Sequence, residues 1–241
     1  AASKNAHLVC FPEFQMAFSP RSQSANHLAR IAETVKGNFV LTLAATAKKN
    51  RIGVVVTIYE KSSKPRHVYD TALIINERGA ITSVYRKLHL YDALGFKESK
   101  KLMPGKSIVK PDKTPAGIAG LLICYDLRFP ELSRLLTIKG ADVLIAPSAW
   151  VAGEMKEEHW QTMIKARAIE NGSYIVAPDQ VGNIYCGKSM VVDPFGVVLL
   201  DMGKREGMEI VDIDKARIQQ VRRSLPLLKN RRTDIYTMSP K

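Results

Sequence analysis

The sequence predicts a mixed α/β sandwich with helices on its outer faces. Short apolar runs of strand length alternate along the chain with segments whose apolar residues recur at helical spacing. One strand–helix–strand unit, at residues 118–147, predicts two parallel strands, because a helix connects them. Two other strand pairs are separated by turn-forming tetrapeptides and predict antiparallel hairpins. This mixture of parallel and antiparallel pairs indicates the α/β class.

Length and composition indicate a globular domain. The 241 residues are enough for one large core, and no segment resembles an interdomain linker, so a single domain over residues 1–241 is predicted. No apolar run approaches the ~20 residues that cross a bilayer, so a membrane protein is not expected. The net charge of +13 is spread along the chain without a nucleic-acid-binding motif, so no nucleic-acid partner is expected.

The cysteine content predicts a reducing environment. Cys10, Cys124 and Cys186 are few and odd in number, which argues against a disulfide framework and favours a cytoplasmic location. Neither a CxxC motif nor a Cys/His cluster is present, so no metal site is predicted.

The chain begins with a strand and two helices. Residues 8–11 form a short apolar strand that stops at a proline and leaves Glu13 at its exit. Apolar residues at helical spacing predict a helix over residues 24–36 and a second helix over 39–49. Three β-rich runs follow, at residues 52–59, 68–76 and 81–86.

The third of these runs ends at Lys87. The tetrapeptide at 76–79, Asn-Glu-Arg-Gly, joins it to the second run as a hairpin. An irregular stretch then extends from residue 93 to about 114. Loops of this length usually serve a site or a partner.

Cys124 follows the most strongly apolar part of the chain. Residues 118–123 have the length of a buried strand, and Pro130 with Glu131 suits a first helical turn. Ligands bind at the carboxyl ends of strands in open α/β sheets, and a helix N-terminus favours an anionic sulfur. A free cysteine is also often a small buried apolar residue, so position alone leaves both interpretations open.

The alternation of helices and strands continues to the end of the chain. The helix after Pro130 ends at Gly140, and a strand over 141–147 completes the β-α-β unit. The remaining predictions are a helix over 157–171, a strand over 173–177, a hairpin over 188–202 that turns at Asp-Pro-Phe-Gly, a strand over 208–213 and a helix capped by Asp214.

Three strand exits each carry a reactive side chain, Glu13, Lys87 and Cys124. If their strands lie side by side, the three groups converge at one edge of a sheet. A carboxylate can take a thiol proton, and an ammonium can stabilise the oxyanion of an attacked carbonyl, so the set suits acyl transfer. His89 and His159 are interpreted as structural, because Glu13 already supplies a base.

The segments around these residues resemble a known family. FPEF surrounds Glu13, YRKLHLYD surrounds Lys87, and LICYDLRFPELSR surrounds Cys124. Together they resemble the nitrilase superfamily of carbon–nitrogen hydrolases. The segments APSAW, GKSMVVDPFG and RRSLPLLKNRRTDIY extend this resemblance over essentially the whole chain.

The resemblance implies a Glu-Lys-Cys triad, here Glu13, Lys87 and Cys124, that needs no cofactor or metal. Glu98 stands where many members have a second glutamate that positions the lysine and substrate. The backbone N–H of Tyr125 would complete an oxyanion hole with the lysine. The implied fold is a four-layer α-β-β-α sandwich that pairs into a homodimer. Members usually carry an additional strand and most of a helix ahead of the FPEF segment, and both are expected to be absent here.

The tripeptide after the nucleophile indicates the branch. Cys-Tyr-Asp followed by Arg-Phe-Pro-Glu is similar to ω-amidases and deaminated-glutathione amidases, whereas members acting on nitriles commonly show Cys-Trp-Glu. An amidase acting on a small carboxylic-acid amide through a thioester is therefore predicted. A nitrilase, an N-carbamoyl-amino-acid hydrolase and a catalytically idle scaffold are the alternatives. Trp150 and Arg128 are assigned to the substrate pocket, with core packing as the alternative for Trp150.

Overall fold

The computed structural model describes residues 1–17 and 23–236. Within them, ten strands form two sheets, accompanied by five α-helices. The strands are β1 (Leu8–Cys10), β2 (Gly53–Lys61), β3 (Val68–Ile75), β4 (Ile81–Arg86), β5 (Asp112–Thr114), β6 (Gly117–Leu121), β7 (Val143–Ile145), β8 (Tyr174–Ala177), β9 (Met190–Val192) and β10 (Val198–Asp201). The helices are α1 (Ala25–Ile31), α2 (Asn38–Asn50), α3 (Pro130–Ile138), α4 (Lys156–Asn171) and α5 (Lys215–Ser224).

One sheet has four strands and the other has six. The four-stranded sheet has the order β1-β2-β3-β4, in which only the β1–β2 pair is parallel. The six-stranded sheet has the order β10-β9-β8-β7-β6-β5, with parallel strands at its centre. The predicted β-α-β unit is confirmed by the parallel pairing of β6 with β7, and both predicted hairpins are confirmed by antiparallel pairs.

The two sheets pack face to face between layers of helix. Along β2, Val54 and Val56 pack on one side against Val40 and Ala47 of α2. Val55 points to the opposite side and belongs to the large core between the sheets. Strand side chains alternate between faces, so β2 is buried on both. Each fully buried valine contributes about 1.5–3 kcal/mol relative to an exposed one.

Helices α3 and α4 cover the six-stranded sheet. α3 packs beside β6, and α4 packs beside β8. Trp160 and Ile164 of α4 have no exposed surface and belong to the same core as the strands. Helix, sheet, sheet and helix therefore follow one another in layers, and the predicted α-β-β-α sandwich is confirmed. None of the helices in the described ranges is long and apolar enough to cross a membrane.

The strands that deliver the predicted reactive residues are not neighbours, so the side-by-side assumption was wrong. β1 and β4 lie at opposite edges of the four-stranded sheet, and β6 belongs to the other sheet. However, β1 is parallel to β2, and β2 and β4 are both antiparallel to β3, so β1 and β4 run in the same direction. Their exits thus lie at the same end of the sheet. The packing of the second sheet then brings the exit of β6 to that end.

Two predicted elements differ from the structure. The helix predicted over 24–36 ends at Ile31, because Ala32 is extended and the Glu33 carboxylate instead accepts a hydrogen bond at 2.9 Å from the Phe39 N–H, at the start of α2. The strand predicted over 208–213 is irregular in the structure. Its apolar residues have β propensity, but no described strand pairs with them, and strand structure requires a partner.

Candidate active site

Cys124 lies on a tight turn between β6 and α3. It is the first residue of a 3₁₀ turn (Cys124–Arg128) and has a φ of 45°, a conformation that is strained for a residue with a side chain. Its backbone N–H donates to the carbonyl oxygen of Pro147 at 3.0 Å, which ties the turn to the end of β7. This hydrogen bond to the segment after β7 therefore stabilises the strained backbone conformation of Cys124.

The buried carboxylate of Asp126 fixes the same turn. It accepts hydrogen bonds from the Ile123 N–H at 3.0 Å and from the Tyr85 hydroxyl at 2.6 Å. The His89 Nδ1 lies 2.7 Å from its other oxygen, and the His89 ring stacks on Phe129. His89 thus pairs with a carboxylate that supports the turn. The His159 Nδ1 lies 3.5 Å from the Arg128 guanidinium.

Lys87 stands at the centre of a cluster of buried carboxylates. Its side chain has no exposed surface, and its Nζ lies 2.8 Å from Glu13 Oε1, 3.1 Å from Glu98 and 3.8 Å from Asp70 Oδ2. Burial alone lowers the pKa of a lysine, but Glu13 and Glu98 outweigh burial and hold the Lys87 pKa well above its usual range. Lys87 is therefore a fixed positive charge.

Glu13 connects the two sheets. Its Oε2 accepts a hydrogen bond at 2.8 Å from the N–H of Ala149, in the segment that follows β7. Its backbone carbonyl accepts another at 2.8 Å from the Gln180 side chain. With Lys87 on its other oxygen, the carboxylate is held by charge and by hydrogen bonds on both sides.

The pocket in front of Cys124 has a volume of about 250 Å³ and includes Glu13 in its lining. Burial first, and Glu13 second, raise the pKa of the Cys124 thiol well above its usual value, and Lys87 lowers it only in part. The resting group is consequently a thiol. A thiolate at this position would form by transfer of this proton to a base.

The other predicted site residues surround the pocket. The Glu98 carboxylate contacts Lys87 and accepts from the Tyr91 N–H at 2.7 Å. The Tyr125 ring packs against the ring of Tyr91. The Arg128 guanidinium lies 4.5 Å from the Trp150 ring centre, and both residues line the pocket. Trp150 is also buried and belongs to the core between the sheets and α4.

Two residues near the site, Asp70 and Lys156, were missed from the sequence. Asp70 faces Lys87 from inside β3, and the ammonium of Lys156 donates to the Tyr91 hydroxyl at the pocket wall. A signal for Asp70 existed, because a carboxylate interrupts the apolar run of its strand. Lys156 carried no signal, because one lysine at a helix start looks like a solvated residue. Across the described ranges, no group of three or more His, Cys, Asp or Glu side chains has the arrangement of a metal site.

Comparisons with known proteins indicate a family. The family model for carbon-nitrogen hydrolases matches residues 1–223. The deaminated glutathione amidase of Escherichia coli O157:H7 is 35% identical over 232 residues, which cover 96% of this chain and 87% of that protein.

Two solved structures extend the similarity. The carbon-nitrogen hydrolase of Helicobacter pylori G27 superposes with a TM-score of 0.88 at 28% identity, covering 97% of this chain and 86% of that one. An amidase variant from Nesterenkonia sp. AN1, with an acetamide moiety covalently added at its active-site cysteine, has a TM-score of 0.77 at 26% identity and covers 98% and 84% of the two chains. The chain belongs to the carbon–nitrogen hydrolase family.

Proposed function

We propose that this carbon–nitrogen hydrolase is an amidase that converts a small carboxylic-acid amide and water into the acid and ammonia through a thioester on Cys124. The observation that carries the proposal is the position of Glu13, which binds the Lys87 ammonium and shares the pocket with Cys124. The base and the thiol thereby line one cavity, and the cation is bound to the base. These are the three groups that acyl transfer to sulfur requires.

In the first half-reaction, Glu13 takes the Cys124 proton while the sulfur attacks the amide carbonyl. A C–S bond forms, and the carbonyl oxygen becomes an oxyanion. The Lys87 ammonium and the Tyr125 N–H stabilise this negative charge. The C–N bond then breaks, and Glu13 returns the proton to the nitrogen so that neutral ammonia leaves.

In the second half-reaction, Glu13 takes a proton from water, which attacks the thioester. The C–S bond breaks, the acid leaves, and Cys124 regains its proton. Lys87 is paired with both Glu13 and Glu98, and Glu98 takes no proton in either step, so the lysine keeps a carboxylate partner while Glu13 holds the proton.

The pocket supports an amide that carries an acidic group. Arg128 and Lys156 both line it, and in the part of the chain that the structure describes neither takes part in an ion pair. A guanidinium binds a carboxylate through two parallel hydrogen bonds. A substrate carboxylate would supply the counter-charge. The name of the E. coli relative, a deaminated glutathione amidase, is consistent with an acidic amide.

Trapping of the intermediate tests the proposal. With succinamate as substrate, hydroxylamine should divert the thioester to a hydroxamate in competition with water. Intact-protein mass after a rapid quench should show an adduct on the peptide that contains Cys124. The variant Cys124→Ala should lose adduct, hydroxamate and free acid, whereas Cys10→Ala should retain all three, because Cys10 is not among the residues that line the pocket. An adduct on another cysteine would refute the mechanism.

Nitriles provide the matched substrate control. Because Tyr125-Asp126 follows the nucleophile, the amide should release ammonia and the corresponding nitrile should not. Equal ammonia release from both at saturating concentration would contradict the amidase assignment.

We further propose that residues 1–241 act as one domain, that two copies form a homodimer, and that the protein functions in the cytoplasm. The family resemblance supports the dimer, and the three cysteines, all of which are free, support a reducing compartment. Sedimentation at micromolar protein tests the dimer: a single species near the monomer mass of 26.8 kDa would contradict it.

A further inference from the structure

The cluster around Lys87 holds more negative than positive charge if every group is ionised. Glu13, Asp70 and Glu98 would carry three negative charges against the one positive charge of Lys87. Glu13, Asp70 and Lys87 are each 1% exposed. Buried charges are tolerated only when they are paired and hydrogen-bonded. One of the three carboxyl groups is therefore a candidate for the neutral form.

The geometry singles out Asp70. Its Oδ2 is buried and has no hydrogen-bond partner among the described residues, and the Lys87 Nζ is 3.8 Å away, beyond hydrogen-bond range. By contrast, both oxygens of Glu13 accept hydrogen bonds, and both oxygens of Glu98 do so as well. An ionised oxygen without a donor carries the full desolvation penalty. Among these three carboxyl groups, Asp70 is thus the one in which an ionised oxygen would lack a hydrogen-bond donor from the described residues.

The groups that face Asp70 come from four elements. Glu13 follows β1, Tyr59 lies directly opposite on β2, Lys87 follows β4, and Glu98 comes from the loop before β5. Burial and then the negative charge of Glu13 raise the Asp70 pKa well above its usual value, and Lys87 offsets this only in part. The Lys87 Nζ lies 2.8 Å from Glu13 and 3.8 Å from Asp70, so the two carboxyl groups are neighbours, and a side-chain hydrogen bond with Glu13 raises the Asp70 pKa further.

We propose that Asp70 is kept as a neutral carboxylic acid and acts as a positioning residue that donates a hydrogen bond to the Glu13 carboxylate. The base then stays ionised between two donors, Asp70 and Lys87. The Asp70 backbone carbonyl supports the same arrangement, since it accepts from the Lys87 N–H at 2.9 Å. The catalytic part of this inference rests on the proposed amidase function.

A neutral Asp70 and an ion-paired Asp70 make the free energy of unfolding change with pH in opposite directions. The folded protein holds a proton that the unfolded chain releases above a pKa of about 3.9. The free energy of unfolding therefore falls as pH rises from about 4 towards the raised folded-state pKa. Asparagine keeps the shape and a donor but needs no proton. Asp70→Asn should thus gain stability relative to the wild type as the pH increases.

Thermal unfolding at pH 5 and pH 8 tests the protonation state without any substrate. Asp70→Asn should have a Tm at pH 8 that is higher than wild type by roughly 2–4 °C, with a smaller gain at pH 5. Asp193→Asn is the matched control: its buried carboxylate is paired with Arg217 at 2.8 Å, so its Tm should fall at both pH values. An unchanged or lowered Tm at pH 8 in Asp70→Asn would overturn the proposal.

The pH profile of turnover tests the positioning role. Asp70→Ala should lower kcat at least 10-fold with little change in KM, because Glu13 loses a donor, and Asp70→Asn should restore most of this loss. The alkaline limb of the wild-type profile should move to higher pH in Asp70→Asn, which cannot ionise. Equal losses in both variants would overturn the role. If the wild type turns over no amide, the proposed function fails, and the Tm comparison still decides whether Asp70 is neutral.

Discussion

The two sides of the pocket differ in whether their cationic side chains are paired with carboxylates. On one side, the Lys87 ammonium is fully buried and lies between the carboxylates of Glu13 and Glu98. On the other side, Arg128 and Lys156 lie against aromatic rings, with the Arg128 guanidinium over Trp150 and the Lys156 ammonium over Tyr91. The first side satisfies its charges within the protein. The second leaves its cations available to a ligand.

Lys87 and Lys156 show how the surroundings on each side change the pKa of a lysine. Surrounding carboxylates raise the pKa of Lys87 in spite of burial, whereas burial and then the nearby Arg128 lower the pKa of Lys156. In the proposed mechanism Lys87 stabilises the oxyanion, and its pairing with carboxylates keeps it in the charged form. Arg128 and Lys156, which are proposed to bind the substrate carboxylate, have no acidic partner in the described residues that would compete with it. Changes on the first side should therefore affect kcat, and changes on the second should affect KM.

The largest effect is expected for Glu13→Gln. The amide retains an acceptor for the Ala149 N–H but cannot take a proton, so kcat for succinamate should fall by about 10²–10⁴. Steady-state kinetics with ammonia detection measures the loss, and a single cooperative thermal transition would show that the fold is retained. Turnover within tenfold of the wild type would exclude Glu13 as the base.

Lys87→Met should affect both activity and stability. Loss of an oxyanion donor should lower kcat by about 10²–10³. Removal of one partner from a buried ion pair should also lower the free energy of unfolding by about 3–5 kcal/mol, since the carboxylates are left unpaired. Denaturant unfolding measures the second effect. Lys113→Met, at an exposed position, provides the control and should show neither change.

Arg128→Ala should act on binding. The KM for succinamate should rise about 10–100-fold, the equivalent of the ~1.5–3 kcal/mol of a hydrogen bond to a charged group, with a small change in kcat. Butyramide, which lacks the carboxylate, should show no such rise. A loss of kcat shared by both substrates would show that Arg128 contributes to the reaction and not to binding of the substrate carboxylate.

The smallest effect concerns pH. Because its pKa is lowered, Lys156 should lose its proton at a lower pH than an ordinary lysine, and the KM for succinamate should then rise several-fold towards alkaline pH. Lys156→Arg should flatten this rise, since arginine stays charged. KM measured from pH 7 to 10 in both proteins tests the prediction. Identical profiles would show that Lys156 does not contact the substrate charge.

Local patterns in the chain determined its elements and its family. The Asn-Glu-Arg-Gly turn at 76–79 and the Asp-Pro-Phe-Gly turn each join the predicted antiparallel pair, because turn residues act over four positions. Asp214 caps α5 as expected, accepting from the Ala216 N–H at 2.8 Å. The motifs around Glu13, Lys87 and Cys124 identified the family, and the structure brings these three side chains to one end of the sandwich.

Tertiary packing decided what depends on distant residues. A β-rich run did not become a strand at 208–213, because a strand needs a partner that no local pattern specifies. The meeting of Glu13 and Lys87 with Cys124 results from two sheets packed face to face, not from adjacent strands as the sequence suggested. Asp70 became part of the cluster because its strand runs between those two exits. The charge state of a buried carboxyl depends on its neighbours in space, so only the folded protein determines it.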